Sequence, residues 1–164
     1  MESSARRILH CDMDGFFAAI HMRDEPDLRD APLVIGGDPE GRGVVSTANY
    51  IARRYGIHSA MPAATAKRLC PGAVFLRPDL ARYRAESRRI MVLFEGFTDL
   101  VEPASLDEAY LEVTARLGDY PSATAVAEAI RRRVREETGL TVSVGVSNSR
   151  LVAKLASDWD KPDG

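Results

Sequence analysis

Short apolar runs, several of them alternating with polar residues, recur along the chain at about 8–13, 33–35, 44–46, 74–76, 100–102, 109–113 and 142–146, and predict β-strands. Helical spacing fills most of the intervals. Leu80, Tyr83, Ile90, Met91, Phe94 and Phe97 stand among arginines over 79–97, giving a helix with one buried face. Val126, Ala127, Ile130 and Val134 repeat the pattern, and the adjoining Arg131-Arg132-Arg133 run reads as the solvated outer face of that helix. A last helix begins near Ser149 and stacks Leu151, Leu155 and Trp159 at four-residue spacing, beside Val152 and Ala156. That stripe predicts a docking face with Trp159 in the core, and leaves Lys161, just beyond the helix, free to reach toward a cleft.

The order of these elements lacks a regular βαβαβ repeat, so it favours an α+β fold over a parallel doubly wound sheet. The runs around 100–113, joined by Pro103-Ala104-Ser105-Leu106, predict an antiparallel hairpin. Gly36-Gly37-Asp38-Pro39-Glu40-Gly41-Arg42-Gly43 lacks the Gly-Lys-Ser/Thr ending of a phosphate-binding loop, and reads as a turn between two short strands. Met61-Pro62 opens another short helix, which ends at Cys70-Pro71-Gly72. No internal repeat or low-complexity tract interrupts the pattern.

Composition narrows the class. With 164 residues, 45% of them hydrophobic, the chain can build one core domain carrying a small inserted lobe. Cys11 and Cys70 lie in apolar contexts, so free buried thiols are expected, as in a reducing cytoplasm. No apolar stretch approaches membrane-spanning length, and the first residues carry no secretory signal, which predicts a soluble, unexported protein. Lys plus Arg number 22 against 24 for Asp plus Glu, a formal charge of −2, which argues against tight grip on duplex DNA by this piece alone.

The candidate chemistry lies at two strand ends. Asp12-Met13-Asp14 closes the apolar strand Ile8-Leu9-His10-Cys11, and Ser105-Leu106-Asp107-Glu108 leads into Ala109-Tyr110-Leu111-Glu112-Val113. Carboxylates at two strand ends could converge on hard cations such as Mg²⁺, the requirement of phosphoryl transfer. Alternation puts Asp12 and Asp14 on one strand face, so spacing leaves open which would bind metal. An Asp-Met-Asp triplet also opens the haloacid-dehalogenase phosphatase signature, but that pattern wants Thr or Val where Phe16 stands. Thr47, Tyr50 and Arg53 recur at three-residue spacing and share a face if the chain is helical there, offering a hydroxyl, a phenol and a guanidinium to a phosphate.

Four motifs, in order, carry a resemblance. Arg7-Ile8-Leu9-His10-Cys11-Asp12-Met13-Asp14-Gly15-Phe16-Phe17, Ser46-Thr47-Ala48-Asn49-Tyr50-Ile51-Ala52-Arg53-Arg54-Tyr55-Gly56, Ser105-Leu106-Asp107-Glu108-Ala109-Tyr110 and Ala156-Ser157-Asp158-Trp159-Asp160-Lys161-Pro162 resemble those of Y-family translesion DNA polymerases. The similarity is greatest to the bacterial DNA polymerase IV (DinB) branch. It implies a ferredoxin-like palm at 1–15 and 76–164, with a mixed or antiparallel sheet backed by helices, and a small inserted α/β fingers lobe at 16–75; the thumb and little finger would be absent. It implies low-fidelity, DNA-directed addition of deoxynucleotides to a primer 3′ end.

By the same resemblance, Asp12, Asp107 and Glu108 would be catalytic, and with the Met13 carbonyl would hold two Mg²⁺ ions, Mn²⁺ being able to substitute; Asp14 would be structural. Phe17 would be the steric gate against a ribose 2′-hydroxyl, with Phe16 in the core. Thr47, Tyr50, Arg53 and Lys161 would bind the triphosphate, and Val44 and Ser46 would roof the nascent base pair. Gly15 departs from the family's larger residue and is expected to loosen the start of the following helix. The implied partners are primer-template DNA and deoxynucleoside triphosphates, with a sliding clamp engaged through absent C-terminal parts, by a monomer in the bacterial cytoplasm at the nucleoid. Two other classes compete: a non-catalytic, polymerase-like accessory of a DNA-damage mutasome, which would be expected to lose the three carboxylates, and a palm-fold nucleotide cyclase, in which Thr47-Ala48-Asn49-Tyr50 has no role.

Overall fold

The computed structural model describes residues 5–164, which divide into two compact units, one formed by residues up to 14 together with 84–164, the other by 15–83.

The first unit is built on a four-stranded sheet of β1 (Ile8–Met13), β5 (Val101–Pro103), β6 (Glu108–Glu112) and β7 (Val142–Ser147), in the order β5-β6-β1-β7. Every neighbouring pair is antiparallel. Its helices are the greater part of α4 (Leu80–Glu95), α5 (Ala123–Thr138) and α6 (Arg150–Trp159). Taken in chain order, the strands and α4 and α5 give the ferredoxin-like β-α-β-β-α-β sequence. The expected hairpin is present, with Val101 opposite Leu111 and Pro103 opposite Ala109.

Alternation along β1 separates two kinds of side chain. Leu9, Cys11 and Met13 are buried with Ala109, Leu111 and Val142 as an apolar layer. His10 and Asp12 project to the other side, where register places them opposite Tyr110 and Glu108 on β6 and opposite Gly145 and Ser143 on β7. The polar side is the one that meets α6, since His10 bonds Ser157. α5 starts at the cap Ser122, whose side chain accepts from Ala125 N–H, and stops at Gly139 in the left-handed region with φ 68°.

α6 corrects the reading of its apolar stripe. Ala153 and Ser157 are the buried residues, whereas Leu151, Leu155 and Trp159 are 69%, 62% and 91% exposed. The cause lies on the sheet. A Cβ on Gly145 would come within 2.5 Å of Ser157 N, so the helix backbone approaches the strand too closely for any but small side chains between them. Trp159 is therefore outside the core. The arginine run is also less uniform than expected: Arg131 pairs with Asp163 at 3.2 Å and Arg133 with Glu137 at 2.6 Å.

The second unit holds α1 (Phe16–Asp24), β2 (Leu33–Gly36), β3 (Val45–Ala48), α2 (Tyr50–Arg53), α3 (Ala63–Leu69) and β4 (Val74–Leu76). β2 is central, antiparallel to β3 and parallel to β4. Val34, Val45, Ala48, Ala52, Ile57, Ala66 and Cys70 form its core. The unit runs on to Tyr83 because Tyr83 stacks on Phe17 with centroids 4.1 Å apart and accepts or donates a 2.9 Å bond with His21 Nε2, while Arg82 pairs with Asp24 at 2.6 Å. Both cysteines are free and buried. Among the described residues no helix is long and apolar enough to cross a membrane.

Candidate active site

The expected carboxylates of the first unit gather where β1 ends. Asp12 and Glu108 are directly opposite in the β1–β6 register, and Met13 N–H donates to the Asp107 carbonyl at 3.0 Å, which pins the residue before Glu108 to the end of β1. Each side chain is held by a different protein partner. Asp12 Oδ1 accepts from Lys161 Nζ at 3.1 Å, Asp107 Oδ1 from Ser105 Oγ at 2.8 Å, and Glu108 Oε2 from Lys154 Nζ at 2.8 Å. Among the described residues, accordingly, no three His, Cys, Asp or Glu side chains already form a cage for an ion.

The carboxylates nevertheless perturb one another. Burial lifts the Asp12 carboxyl to about 6, Lys161 opposes the shift, and Asp107 and Glu108 add to it by repulsion. Asp107 is also raised, chiefly by burial, with Glu108 contributing. Glu108 lies below the usual carboxylate range: burial would raise it, but Lys154 and His10 outweigh that effect. Lys161 acts as a stand-in positive charge. Its ammonium reaches Asp12 Oδ1, the Asp12 carbonyl at 3.2 Å and the Met13 carbonyl at 3.4 Å, an all-oxygen donor set of the type hard divalent cations prefer.

Asp14 is differently placed. It accepts from Thr141 Oγ1 and Ser143 Oγ, both at 2.7 Å, from Asp163 N–H at 2.9 Å and from Lys161 Nζ at 3.1 Å. Its lone pairs are thus committed to the protein, and these bonds with Lys161 carry its pKa below the ordinary value despite burial. The short segment after α6 is fastened here too: Gly164 N–H donates to Ser143 Oγ at 3.2 Å, and Val144 N–H to the Gly164 carbonyl at 3.0 Å. This segment holds Lys161 against the carboxylates.

The remaining expected residues belong to the second unit. Phe16 is buried and Phe17 half-buried on the first turn of α1, with Phe17 lying flat against Tyr83. Thr47 is on β3 while Tyr50 and Arg53 are on α2, so the single helical face expected for the three is confined to the last two. The break is made by Asn49, whose side chain caps α2 by accepting from Ala52 N–H. The Arg53 guanidinium lies 4.5 Å over the Tyr50 ring and donates through Nε to the Ala48 carbonyl at 2.9 Å. Val44 and Ser46 are exposed. Gly15 has φ 51°, a left-handed conformation, so its role is to turn the chain into α1 and not to loosen that helix.

The profile of the impB/mucB/samB family matches residues 11–158. The chain belongs to that family. The impB/mucB/samB match is accompanied by 60% identity over 159 residues to a DNA polymerase IV of Halorhodospira halophila, and by 58% over 161 residues to one of Alkalilimnicola ehrlichii. These alignments cover 97% and 98% of the chain but 45% of each relative, so the chain spans about half the length of the curated relatives it matches. Among solved structures, DinB from Sulfolobus solfataricus superposes with a TM-score of 0.89 at 35% identity, over 96% of this chain and 47% of that one. A Y-family DNA polymerase chimera, Dbh-Dpo4(243-245)-Dbh, gives a TM-score of 0.91 at 34% identity, with the same coverage.

Several residues of the site escaped the sequence reading. Thr141, just before β7, Ser143 on β7, and Lys154 and Ser157 on α6 touch Asp14, Glu108 and His10, and no local spacing announces them. His10 was signalled in principle, as a polar residue inside an apolar strand two positions before Asp12.

Proposed function

We propose that this chain is the palm and fingers part of a DNA-directed DNA polymerase of the translesion type, adding deoxynucleotides to a primer 3′ end. The observation that carries the reading is the cross-strand pairing of Asp12 with Glu108, beside Asp107 and under a lysine that stands in for a cation. The similar proteins named DNA polymerase IV, and the solved insertion ternary complex of Dbh DNA polymerase, support the same class. Retention of all three carboxylates weighs against a non-catalytic accessory.

In this reading Asp12, Asp107, Glu108 and the Met13 carbonyl hold two Mg²⁺ ions, replaceable by Mn²⁺, which when bound would activate the primer 3′-oxygen and neutralise the leaving pyrophosphate. Lys161 gives up its carboxylate partners for the triphosphate, with Thr47, Tyr50 and Arg53 as further donors. Phe17 excludes a ribose 2′-hydroxyl, and the small residues Val44 and Ser46 leave room over the base pair. Asp14 keeps a structural part. Primer-template DNA and deoxynucleoside triphosphates are the partners of a monomer in the bacterial cytoplasm, and a sliding clamp is met through parts of the protein outside this span.

The test is single-nucleotide primer extension by the chain at low salt with Mg²⁺ or Mn²⁺, beside Asp107→Asn. Incorporation abolished by the substitution is expected. Incorporation that persists unchanged in Asp107→Asn would overturn the assignment.

A further inference from the structure

Phe17 and His21 stand one turn apart on the same face of α1, and both meet Tyr83. The Phe17 ring lies flat on the Tyr83 ring, with centroids 4.1 Å apart and planes 10° from parallel. At the far end of that ring the Tyr83 hydroxyl shares a 2.9 Å hydrogen bond with His21 Nε2. Phe17 is half-buried, whereas Tyr83 and His21 are buried. All three belong to the second unit.

The sequence outward from the core is a polar anchor, a buried ring and a half-exposed ring. Tyr83 is fixed at more than its hydroxyl. The preceding residue, Arg82, pairs with Asp24 at 2.6 Å and with Glu25 at 3.4 Å, at the end of α1, and its N–H donates to Asp79 Oδ1 at 3.1 Å where α4 begins. His21 also meets the Tyr83 ring edge-on, at 5.8 Å and 79°. Stiffness of this kind bears on selectivity. An apolar wall that can retreat rejects an added hydroxyl only weakly. A wall backed by close-packed, hydrogen-bonded side chains transmits the strain instead of absorbing it.

We propose that His21 is a specificity-determining positioning residue: by holding the Tyr83 phenol it fixes the surface on which Phe17 rests, and so keeps the Phe17 ring from yielding to a ribose 2′-hydroxyl. The inference rests on the proposed polymerase reading, in which Phe17 is the steric gate. Phe17 meets the sugar, and Tyr83 and His21 act through it. The hydrogen bond sets where the stacked pair sits, while the bulk of the Phe17 ring sets what is excluded. Loss of the bond therefore relaxes the choice of sugar by less than loss of the ring.

Two measurements test it. The ratio of ribonucleotide to deoxynucleotide incorporation efficiency in primer extension is expected to rise about 3–10-fold in His21→Leu and in Tyr83→Phe, the effect of one buried hydrogen bond. It should return to the wild-type value in His21→Gln, whose amide can reach the phenol, and His21→Leu should add nothing in a Phe17→Ala background. An unchanged ratio in His21→Leu, or a full further rise on top of Phe17→Ala, overturns the proposal. The second measurement needs no turnover: the ring-flip rate of Phe17, from aromatic NMR relaxation of the 164-residue chain, is expected to be faster in His21→Leu and Tyr83→Phe than in the wild type. Equal rates refute the positioning role. The gate reading fails separately, if the flips respond as expected while Phe17→Ala leaves the ratio unaltered.

Discussion

Asp12 and Asp14 share one ammonium, Lys161 Nζ standing 3.1 Å from an oxygen of each, yet their pKa values move in opposite directions. The difference is in the neighbours. Both are desolvated by burial, but Asp14 has two hydroxyls and a backbone N–H to stabilise its charge, whereas Asp12 lacks these and is further repelled by Asp107 and Glu108. One carboxylate has its charge shared among several donors, and the other has the Lys161 ammonium alone.

Asp12→Asn should therefore stabilise the metal-free chain at pH 7.5, by about 2 kcal/mol. With its folded pKa raised to about 6, Asp12 binds protons more tightly in the folded than in the unfolded state, so wild-type stability falls as pH rises through the interval from the ordinary value of 3.8 to about 6. The advantage of Asn should fade toward pH 4.5, and added Mg²⁺ should stabilise the wild type and not the variant. Urea titrations at the two pH values measure both effects; a pH-independent difference would exclude the assigned shift.

Asp14→Ala should do the reverse. It removes the acceptor of four contacts and leaves two hydroxyls and Lys161 without that partner, a loss of about 3–5 kcal/mol at neutral pH. Because the folded pKa of Asp14 is lowered, its contribution is present above the ordinary carboxylate range and is lost as pH falls through the lowered value. Wild type and variant should converge only in strongly acid solution. Equal urea midpoints at pH 7 would show that Asp14 is not the fastener described.

Gly145→Ala should destabilise the first unit by about 1–3 kcal/mol, since α6 has to lift from β7 to admit a methyl group against Ser157 N. The same unfolding assay reads it, and unchanged stability would mean that helix and strand are not in such close contact.

Trp159→Gln should leave stability within about 0.5 kcal/mol of the wild type, and the native indole should be quenched freely by acrylamide. A protected indole would contradict its exposed position at the end of α6.

Phe17→Ala should raise ribonucleotide use relative to deoxynucleotide use by about 10-fold or more, if its half-buried ring is the steric gate. An unaltered preference in primer extension would remove Phe17 from that role.

Strand positions were legible because alternation and apolar runs are local: β1, β4 and the β5–β6 hairpin fall within a residue of where the pattern places them. The burial of α6 was not, because the rule that large apolar residues face inward presumes a sheet with room for them. Gly145 leaves none, and the helix is seated on Ala153 and Ser157. Likewise Thr47 shares the spacing of Tyr50 and Arg53 but lies on the strand side of the Asn49 cap. The acidic residues could be picked out from their places at strand ends. Their partners could not, since Thr141 and Ser143 meet Asp14 across 127 and 129 residues of chain, through a register that only the assembled sheet defines.

The position of β1 also sets an order of assembly. It is made well before both its neighbours, β6 and β7, which start 100 and 134 residues further along, whereas the second unit is one uninterrupted stretch whose sheet pairs strands all lying between residues 33 and 76. Emerging from a ribosome, the inserted lobe has everything it needs to close first. The strand bearing Asp12 must wait, unpaired, for β6 and β7 to be made, so the slow step in acquiring the acidic cluster is the closure of a long loop.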